Sequence, residues 1–309
     1  MEKLELAIAE IKAKLPGMEL KENAAMAEHC SFKIGGPVRA MAYPENVENL
    51  VEICRILKAH GHAPYMLGNA TNILFPDEGL KNVFIINSTK LDEMYLAEDG
   101  AICAQAGISL AKLASFAYQH SLEGLEFASG IPGSIGGGLM MNAGAYGGEL
   151  KDVVESVSTY SLREQRVVEL SNAECRLAYR TSLFQQEGGY VVLGAKFRLN
   201  KGDQAAIAAK SRELNEKRRD KQPLDLPSAG SAFKRPVGGF AAALIEQSGL
   251  KGFGIGGAQV SEKHAGFVVN RGDATAKDVE ALLAHVQAVV RAETGVMLEP
   301  EVRILGEEA

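Results

Sequence analysis

Gly130-Ile131-Pro132-Gly133-Ser134-Ile135-Gly136-Gly137-Gly138-Leu139-Met140-Met141-Asn142-Ala143-Gly144-Ala145-Tyr146-Gly147-Gly148-Glu149 is the stretch whose reading decides the fold. Gly130, Gly133, Gly136, Gly137, Gly138, Gly144, Gly147 and Gly148 fall within it, and no charge appears before Glu149. Glycine supplies no core volume. What it offers is freedom to adopt positive φ and close approach of the backbone to a bound group. Successive bare N–H groups then form a nest that accepts phosphate oxygens. Pro132 before Gly133 sets a turn, and Ile131, Ile135, Leu139, Met140 and Met141 give an apolar underside. A corner alone needs only one or two glycines. No Gly-Lys-Ser/Thr closes the run, so it is not a P-loop, and a Gly-x-Gly-x-x-Gly unit between strand and helix is a poor fit. The composition points to a large phosphate-bearing ligand held by backbone.

Outward from this run, the chain has 309 residues, room for two or three domains with substantial cores. The net charge of −6 argues against a general nucleic-acid surface. No apolar run approaches the roughly 20 residues of a membrane span. The charged start, Met1 to Leu6, has no signal-peptide core, so a cytoplasmic location is expected. Cys30, Cys54, Cys103 and Cys175 are far apart and read as reduced structural thiols. His60 and His62 flank a glycine turn with no third ligand nearby, so they read as surface residues and no metal site is expected.

Periodicity places a helix on Leu4, Ile8, Ile11 and Leu15, ended by Pro16-Gly17. A strand is expected over Val38–Tyr43, a helix through Val47, Leu50, Val51, Cys54 and Leu57, and strands over Pro64–Leu67 and Val83–Ile86. Strands follow over Ala101–Ala106, Val153–Tyr160 and Tyr190–Leu199, the last alternating as a strand buried on one face. Ser109 can cap a helix through Leu110, Leu113, Ala114 and Ala117. Gln204–Lys221 reads as a helix with a basic end, Phe240–Gln247 as another, and His264–Asn270 as a strand. Thr275 and Asp278 have capping-box spacing ahead of a strong stripe from Val279 to Val290 that Gly295 closes. Val296–Leu305 is expected as the last strand, with Pro300 favouring an edge or bulge.

These motifs resemble those of the bacterial UDP-N-acetylenolpyruvoylglucosamine reductases, and the resemblance runs from about Ser31 to Gly306. Ser31-Phe32-Lys33-Ile34-Gly35-Gly36 and Leu67-Gly68-Asn69-Ala70-Thr71-Asn72 look like that family's first flavin-binding turns, with Thr71 where serine is more usual. The 130–149 run resembles its main flavin loop, with Gly138 for a more usual alanine. The resemblance implies an α+β fold: a two-subdomain FAD-binding module of the vanillyl-alcohol-oxidase-like (PCMH-type) class plus a C-terminal α+β substrate domain. The expected divisions are 1–85 for the N-terminal helix and first FAD-binding subdomain, 86–202 for the second, and 203–309 for the substrate domain. Implied FAD-binding positions are Gly35, Gly36, Gly68, Asn69, Ala70, Thr71, Asn72, Gly130, Gly133, Ser134, Gly136, Gly137, Asn142, Ala143 and Gly144.

Tyr179-Arg180-Thr181-Ser182-Leu183-Phe184 matches the family's Tyr-Arg-x-Ser-x-Phe element, and Gly230-Ser231-Ala232-Phe233-Lys234 its Gly-Ser-Phe-Phe-Lys, with Ala232 for one phenylalanine. Gly256 to Asn270 and Leu298-Glu299-Pro300-Glu301-Val302-Arg303 match elements of its third domain and C-terminus. Arg180, Ser231 and Glu301 are then the catalytic candidates, and Tyr179, Lys221 and Lys234 the substrate-binding ones. No room exists between Ser231 and His264 for the tyrosine-bearing insertion of the longer family form, so the chain resembles the shorter form. The implied reaction uses FAD and NADPH to reduce UDP-N-acetylglucosamine enolpyruvate to UDP-N-acetylmuramate, by a monomer or weak oligomer. Two other readings are open: an FAD-dependent oxidase of the same fold acting on a small alcohol or hydroxy acid, and a nucleotide-sugar sensor that has kept the fold without the chemistry.

Overall fold

A computed structural model describes residues 2–306. They gather into two compact units, each discontinuous in sequence. The chain up to Glu22, Ala40–Asn69 and Asn82–Glu216 form the first; Asn23–Arg39, Ala70–Lys81 and the chain from Lys217 onward form the second. The content is mixed helix and strand, as the α+β reading expects.

The first unit is built on a five-stranded antiparallel sheet. Its order is Arg166–Ser171, Val154–Ser161, Tyr190–Phe197, Ile102–Gln105 and Met94–Leu96. Alternation predicts a central strand buried on one face, but its first half is buried on both. A core covers each face there, and a bulge sorts the residues between them: pairing shifts between Ser158↔Gly194 and Thr159↔Val192. A one-residue shift exchanges the faces of a strand. Val191 and Leu193 therefore join a core with Leu4, Ile8 and Ile11 of the Glu2–Lys14 helix and Leu50, Ile53 and Leu57 of the Val47–Ala59 helix. Ala195 and Phe197 join another, with Leu110, Leu113 and Ala117 of the Leu110–Gln119 helix. Beyond the bulge Lys196 and Arg198 face outward, and both pair with Asp99 at 2.8 Å.

The cap predicted at Ser109 forms, its Oγ accepting from Lys112 N at 3.1 Å. Three of the four cysteines are buried and all four are free thiols; burial pushes the Cys54 thiol up to about 12 and the Cys175 thiol to about 11. His60 is half-buried, with Nε2 2.8 Å from Glu10 Oε2. Among the described residues no helix is long and apolar enough to cross a membrane, and no cluster of three His, Cys, Asp or Glu could hold a metal ion.

In the second unit a four-stranded antiparallel sheet runs in the order Ser228–Ser231, Phe267–Asn270, Ala258–Val260, Gly254–Ile255. The Ala276–Thr294 helix packs on it through the predicted stripe: Val279, Leu282, Leu283, Val286 and Val290 are all buried. Its capping box is complete, with Thr275 Oγ1 accepting from Asp278 N at 3.1 Å and Asp278 accepting from Thr275 N at 3.0 Å. Gly295 closes it in the left-handed region. Gly256 and Gly257 are packing positions, since an added Cβ would lie 2.3 Å from Asp278 and 2.4 Å from Ala274 N.

The single long strand expected over Val296–Leu305 does not form. Only Arg303–Ile304 pairs, in parallel with Ile73–Leu74, and upstream a lone bridge joins Pro300 to Phe233. The bridge is bonded on both sides of Pro300, Lys234 N donating to Glu299 O and Glu301 N to Ala232 O, so the N–H that proline lacks is not used there. Leu298 and Val302 are buried as the alternation predicts, but Ile304 is exposed. Because the capping box satisfies two helix-terminal donors, Thr275→Ala is expected to lower stability by about 1 kcal/mol. Urea unfolding should register this as a lower midpoint with an unchanged slope.

Candidate active site

The glycine run does not fold as a continuous loop. Residues Ile135–Met141 form a short helix capped by Ser134, whose Oγ accepts from Gly137 N at 3.3 Å. This corrects the amide nest expected there. The N–H groups of Ile135, Gly136 and Gly138 bond to Ile108 O, Ala106 O and Ser134 O, and that of Gly137 to the cap. Nor is positive φ what most of these glycines supply: within the run only Gly147, Asn142 and Tyr146 have it. Close approach is what remains. A Cβ on Gly138 would meet Leu150 Cδ1 at 2.9 Å, one on Gly144 would meet Gly148 O at 2.7 Å, and one on Gly148 would meet Phe127 at 2.6 Å.

A second turn packs on this run within the same unit. A Cβ on Gly68 would lie 2.1 Å from Ser134 Oγ, and Asn69 Nδ2 donates to Pro132 O at 2.9 Å. Gly68 and Asn69 thus sit against Pro132–Ser134. Gly130 and Gly133 flank the same contact, and Gly133 O accepts from Leu110 N at 2.9 Å. The two turns are uncharged and lie in contact, with no room for a methyl group between them; bare backbone of this kind lets a phosphate-bearing cofactor come close.

Asn142 ends the short helix in the left-handed region, φ 44°, ψ 63°. Asn142 N donates to Leu139 O and Ala143 N to Gly138 O, the paired bonds of a Schellman close. Its side chain is fully buried and bonded to protein: Nδ2 donates to Glu149 Oε2 at 2.6 Å and Ala178 O at 3.1 Å, and Oδ1 accepts from Lys151 N at 2.9 Å. Sequence reading gave Asn142 to the cofactor, and nothing in its neighbourhood along the chain reveals Ala178.

Ala178 opens the turn that carries Arg180. Ala178 and Thr181 exchange backbone bonds of 3.1 Å, and Arg180 between them is held at φ 54°. Its guanidinium lies 5.2 Å from the Tyr179 ring, and Nη2 donates to Gly144 O at 3.4 Å. Tyr179 is half exposed. The other motif residues anchor the turn: Ser182 is buried, donates to Met140 O at 2.8 Å and caps Leu183–Gln186, and Phe184 is buried.

The second unit brings Ser231 and Glu301 together. Ala232 N donates to Gly266 O at 2.8 Å, and Glu301 N donates to Ala232 O at 2.9 Å. Ser231, paired with Phe267, precedes Ala232, and Glu301 lies across the bond from Ala232. Gly230 before Ser231 has φ 77°, which suits glycine alone. Asn72 brackets the glutamate: its Nδ2 donates to Glu301 O at 3.1 Å and its carbonyl accepts from Arg303 N at 3.0 Å. Ala70 holds a left-handed φ of 47°, rare for alanine, with its carbonyl accepting from Ser31 N at 3.2 Å. Ser31 Oγ in turn donates to Ser228 O at 2.6 Å.

Gly35 and Gly36 are half-buried and packed closely within this unit. Added Cβ atoms there would lie 2.5 Å from Phe75 and 2.3 Å from Asp77 O, and Gly36 N already donates to Pro76 O. Lys234 pairs with Glu299, and Lys221 ends the Gln204–Lys221 helix exposed. Sequence reading did not single out His264. Burial holds its ring below the ordinary histidine range, and Nδ1 accepts from Gly266 N at 3.1 Å, so it is neutral with its proton on Nε2.

Comparison with known proteins joins these features. Residues 38–171 match the family described as FAD binding domain, and residues 222–305 match UDP-N-acetylenolpyruvoylglucosamine reductase, C-terminal domain. The chain is 44% identical over 304 residues to the UDP-N-acetylenolpyruvoylglucosamine reductase of Caldanaerobacter subterraneus subsp. tengcongensis, covering 98% of this chain and 99% of that one. It is 45% identical over 294 residues to that of Limosilactobacillus fermentum, covering 95% and 97%. The crystal structure of the Thermus caldophilus enzyme superposes with a TM-score of 0.80 at 30% identity, over 94% of this chain and all of that one. A flavin-binding domain joined to this C-terminal domain defines the class: an FAD-dependent oxidoreductase. The chain belongs to the UDP-N-acetylenolpyruvoylglucosamine reductase family.

The Gly68 contact gives a direct check on the cofactor turns. Gly68→Ala is expected to yield folded protein with less than one FAD per chain, read from the ratio of flavin to protein absorbance. Full FAD occupancy would remove these turns from the cofactor site.

Proposed function

We propose that the chain reduces UDP-N-acetylglucosamine enolpyruvate to UDP-N-acetylmuramate with NADPH, a step in making peptidoglycan precursors. The observation that supports it best is the near full-length identity to reductases of that name, with Glu301 bonded through its N–H to the residue after Ser231. FAD, when bound, would supply two-electron hydride chemistry between NADPH and C3 of the enolpyruvyl group. A proton goes to C2, so NADPH and one proton are consumed and a lactyl ether is formed. Gly68, Asn69, Gly130, Gly133 and Ser134 are the residues we assign to the cofactor with most support, beside Ala70, Thr71 and Asn72. The functional division at 1–85, 86–202 and 203–309 remains our proposal.

Hydride arrival at C3 builds negative charge on the enolpyruvyl carboxylate. A fixed cation there is worth about 3–4 kcal/mol in a dry site, and Arg180, held in a constrained turn, is our assignment. Ser231 delivers the proton to C2. A serine hydroxyl is a weak acid and needs polarising neighbours. Glu301 is the neighbour we assign, acting in its protonated form or through water, since a bare carboxylate would oppose the growing charge. Lys221 and Tyr179 are proposed substrate contacts. Lys234 is retained with its Glu299 partner as a contact that substrate would have to compete for. The small-alcohol oxidase reading has no such support, because the reductase C-terminal domain is present.

Ser231→Ala tests the assignment through the two half-reactions. Reduction of the flavin by NADPH is expected to keep its wild-type rate, and reoxidation by the enolpyruvyl substrate to slow by about 10²–10⁴-fold. Slow reduction with normal reoxidation would contradict the role.

A further inference from the structure

Asn142 lies in the flavin segment, yet its side chain faces the protein. It is fully buried, and both amide protons and the amide oxygen meet protein atoms. One proton goes to Glu149, which also pairs with Lys151 at 2.5 Å; the other goes to Ala178 O, the first residue of the Arg180 turn. Met140 O, two residues earlier, accepts from Ser182, two residues after Arg180. Gly144 O, two residues later, accepts from Arg180 itself. The Arg180 turn is therefore tied to the end of one short helix on both sides and from its own guanidinium.

Backbone geometry supports a dedicated role. Left-handed helix ends are usually made by glycine, and asparagine is the common alternative. Glycine would satisfy the conformation at Asn142 with less strain but would leave Ala178 O and Lys151 N without their partners. A charged residue would not serve. Aspartate has no protons to give Glu149 and Ala178 O, and it would set two carboxylates 2.6 Å apart.

We propose that Asn142 is a positioning residue: it clamps the Ala178–Thr181 turn to the flavin segment and so fixes where the Arg180 guanidinium sits relative to that segment. This deepens the reading of Arg180 as the charge-stabilising group and rests on it. The clamp acts in the oxidative half-reaction only, where charge grows on the enolpyruvyl carboxylate. A misplacement of about 1 Å in a catalytic group costs on the order of 10²-fold in rate.

The test compares Asn142→Gly, Arg180→Ala and the double variant as FAD-loaded enzymes, by anaerobic single-turnover kinetics and steady-state assay. Asn142→Gly should keep its flavin and its rate of reduction by NADPH. Its reoxidation by substrate should fall about 10²-fold, carried by kcat with little change in KM. The double variant should be no slower than Arg180→Ala, because a residue that works through Arg180 has nothing to add once it is gone. Multiplying losses would overturn the proposal, as would an Asn142→Gly enzyme of undiminished kcat beside an impaired Arg180→Ala. An Arg180→Ala enzyme with normal reoxidation would sink the reading of Arg180 and the clamp with it. If Asn142→Gly fails to hold FAD, Ser182→Ala removes the other tie. It must then show the same kcat-only loss, again absent in combination with Arg180→Ala, and a uniform loss in both half-reactions would overturn the proposal.

Discussion

Close backbone approach is the constraint on which the rest of the first unit depends. Its cofactor segment is folded against neighbours at distances no Cβ would allow, at Gly68, Gly138, Gly144 and Gly148. Steric exclusion of this kind is steep, so each glycine sets how closely its backbone meets a neighbour: a side chain at Gly68, Gly138 and Gly148, backbone at Gly144. Ser134 lies at the centre: it caps a helix, touches Gly68 and is itself buried. A seven-residue helix is too short to persist by itself, and here its terminal groups are satisfied by the Ser134 cap, by Ala106 and Ile108 carbonyls, and by the Asn142 close.

The second unit solves a related problem with strand ends. The C-terminal segment meets the segment after Ser231 through one bridge at Pro300, bonded on both sides, rather than through a longer ladder. Asn72 then secures the peptide on either side of Val302. Polar side chains bonded to backbone fix position without a large apolar contact, which suits loops that must stay near a ligand.

Much of the fold was legible because periodicity and caps are local signals. The stripe from Val279 to Val290 with Thr275 and Asp278, the Ser109 cap and the Gln204–Lys221 helix all formed where the residues placed them. What failed was not local. The bulge opposite Ser158 exchanged the faces of the Tyr190–Phe197 strand, and it depends on a partner more than thirty residues away. The last strand failed despite a good alternation because its two ends pair with different partners, Pro300 with Phe233 and Arg303–Ile304 with Ile73–Leu74. The helix at Ile135–Met141 was hidden because glycine is a poor helix former, and its stability comes from partners at residues 106 and 108. In the site, the motif residues were legible from the family resemblance. The role of Asn142 was not, because its partner Ala178 carries no sequence signal at all.

The central claim is that one bound flavin serves both a nicotinamide and an enolpyruvyl nucleotide sugar. Anaerobic stopped-flow absorbance of the unaltered protein tests it most directly, with NADPH added first and UDP-N-acetylglucosamine enolpyruvate second. The account predicts bleaching of the flavin band, then recovery that depends on the second addition. Bleaching without recovery would contradict the substrate assignment, and the absence of a flavin band after reconstitution with FAD would contradict the account at its base.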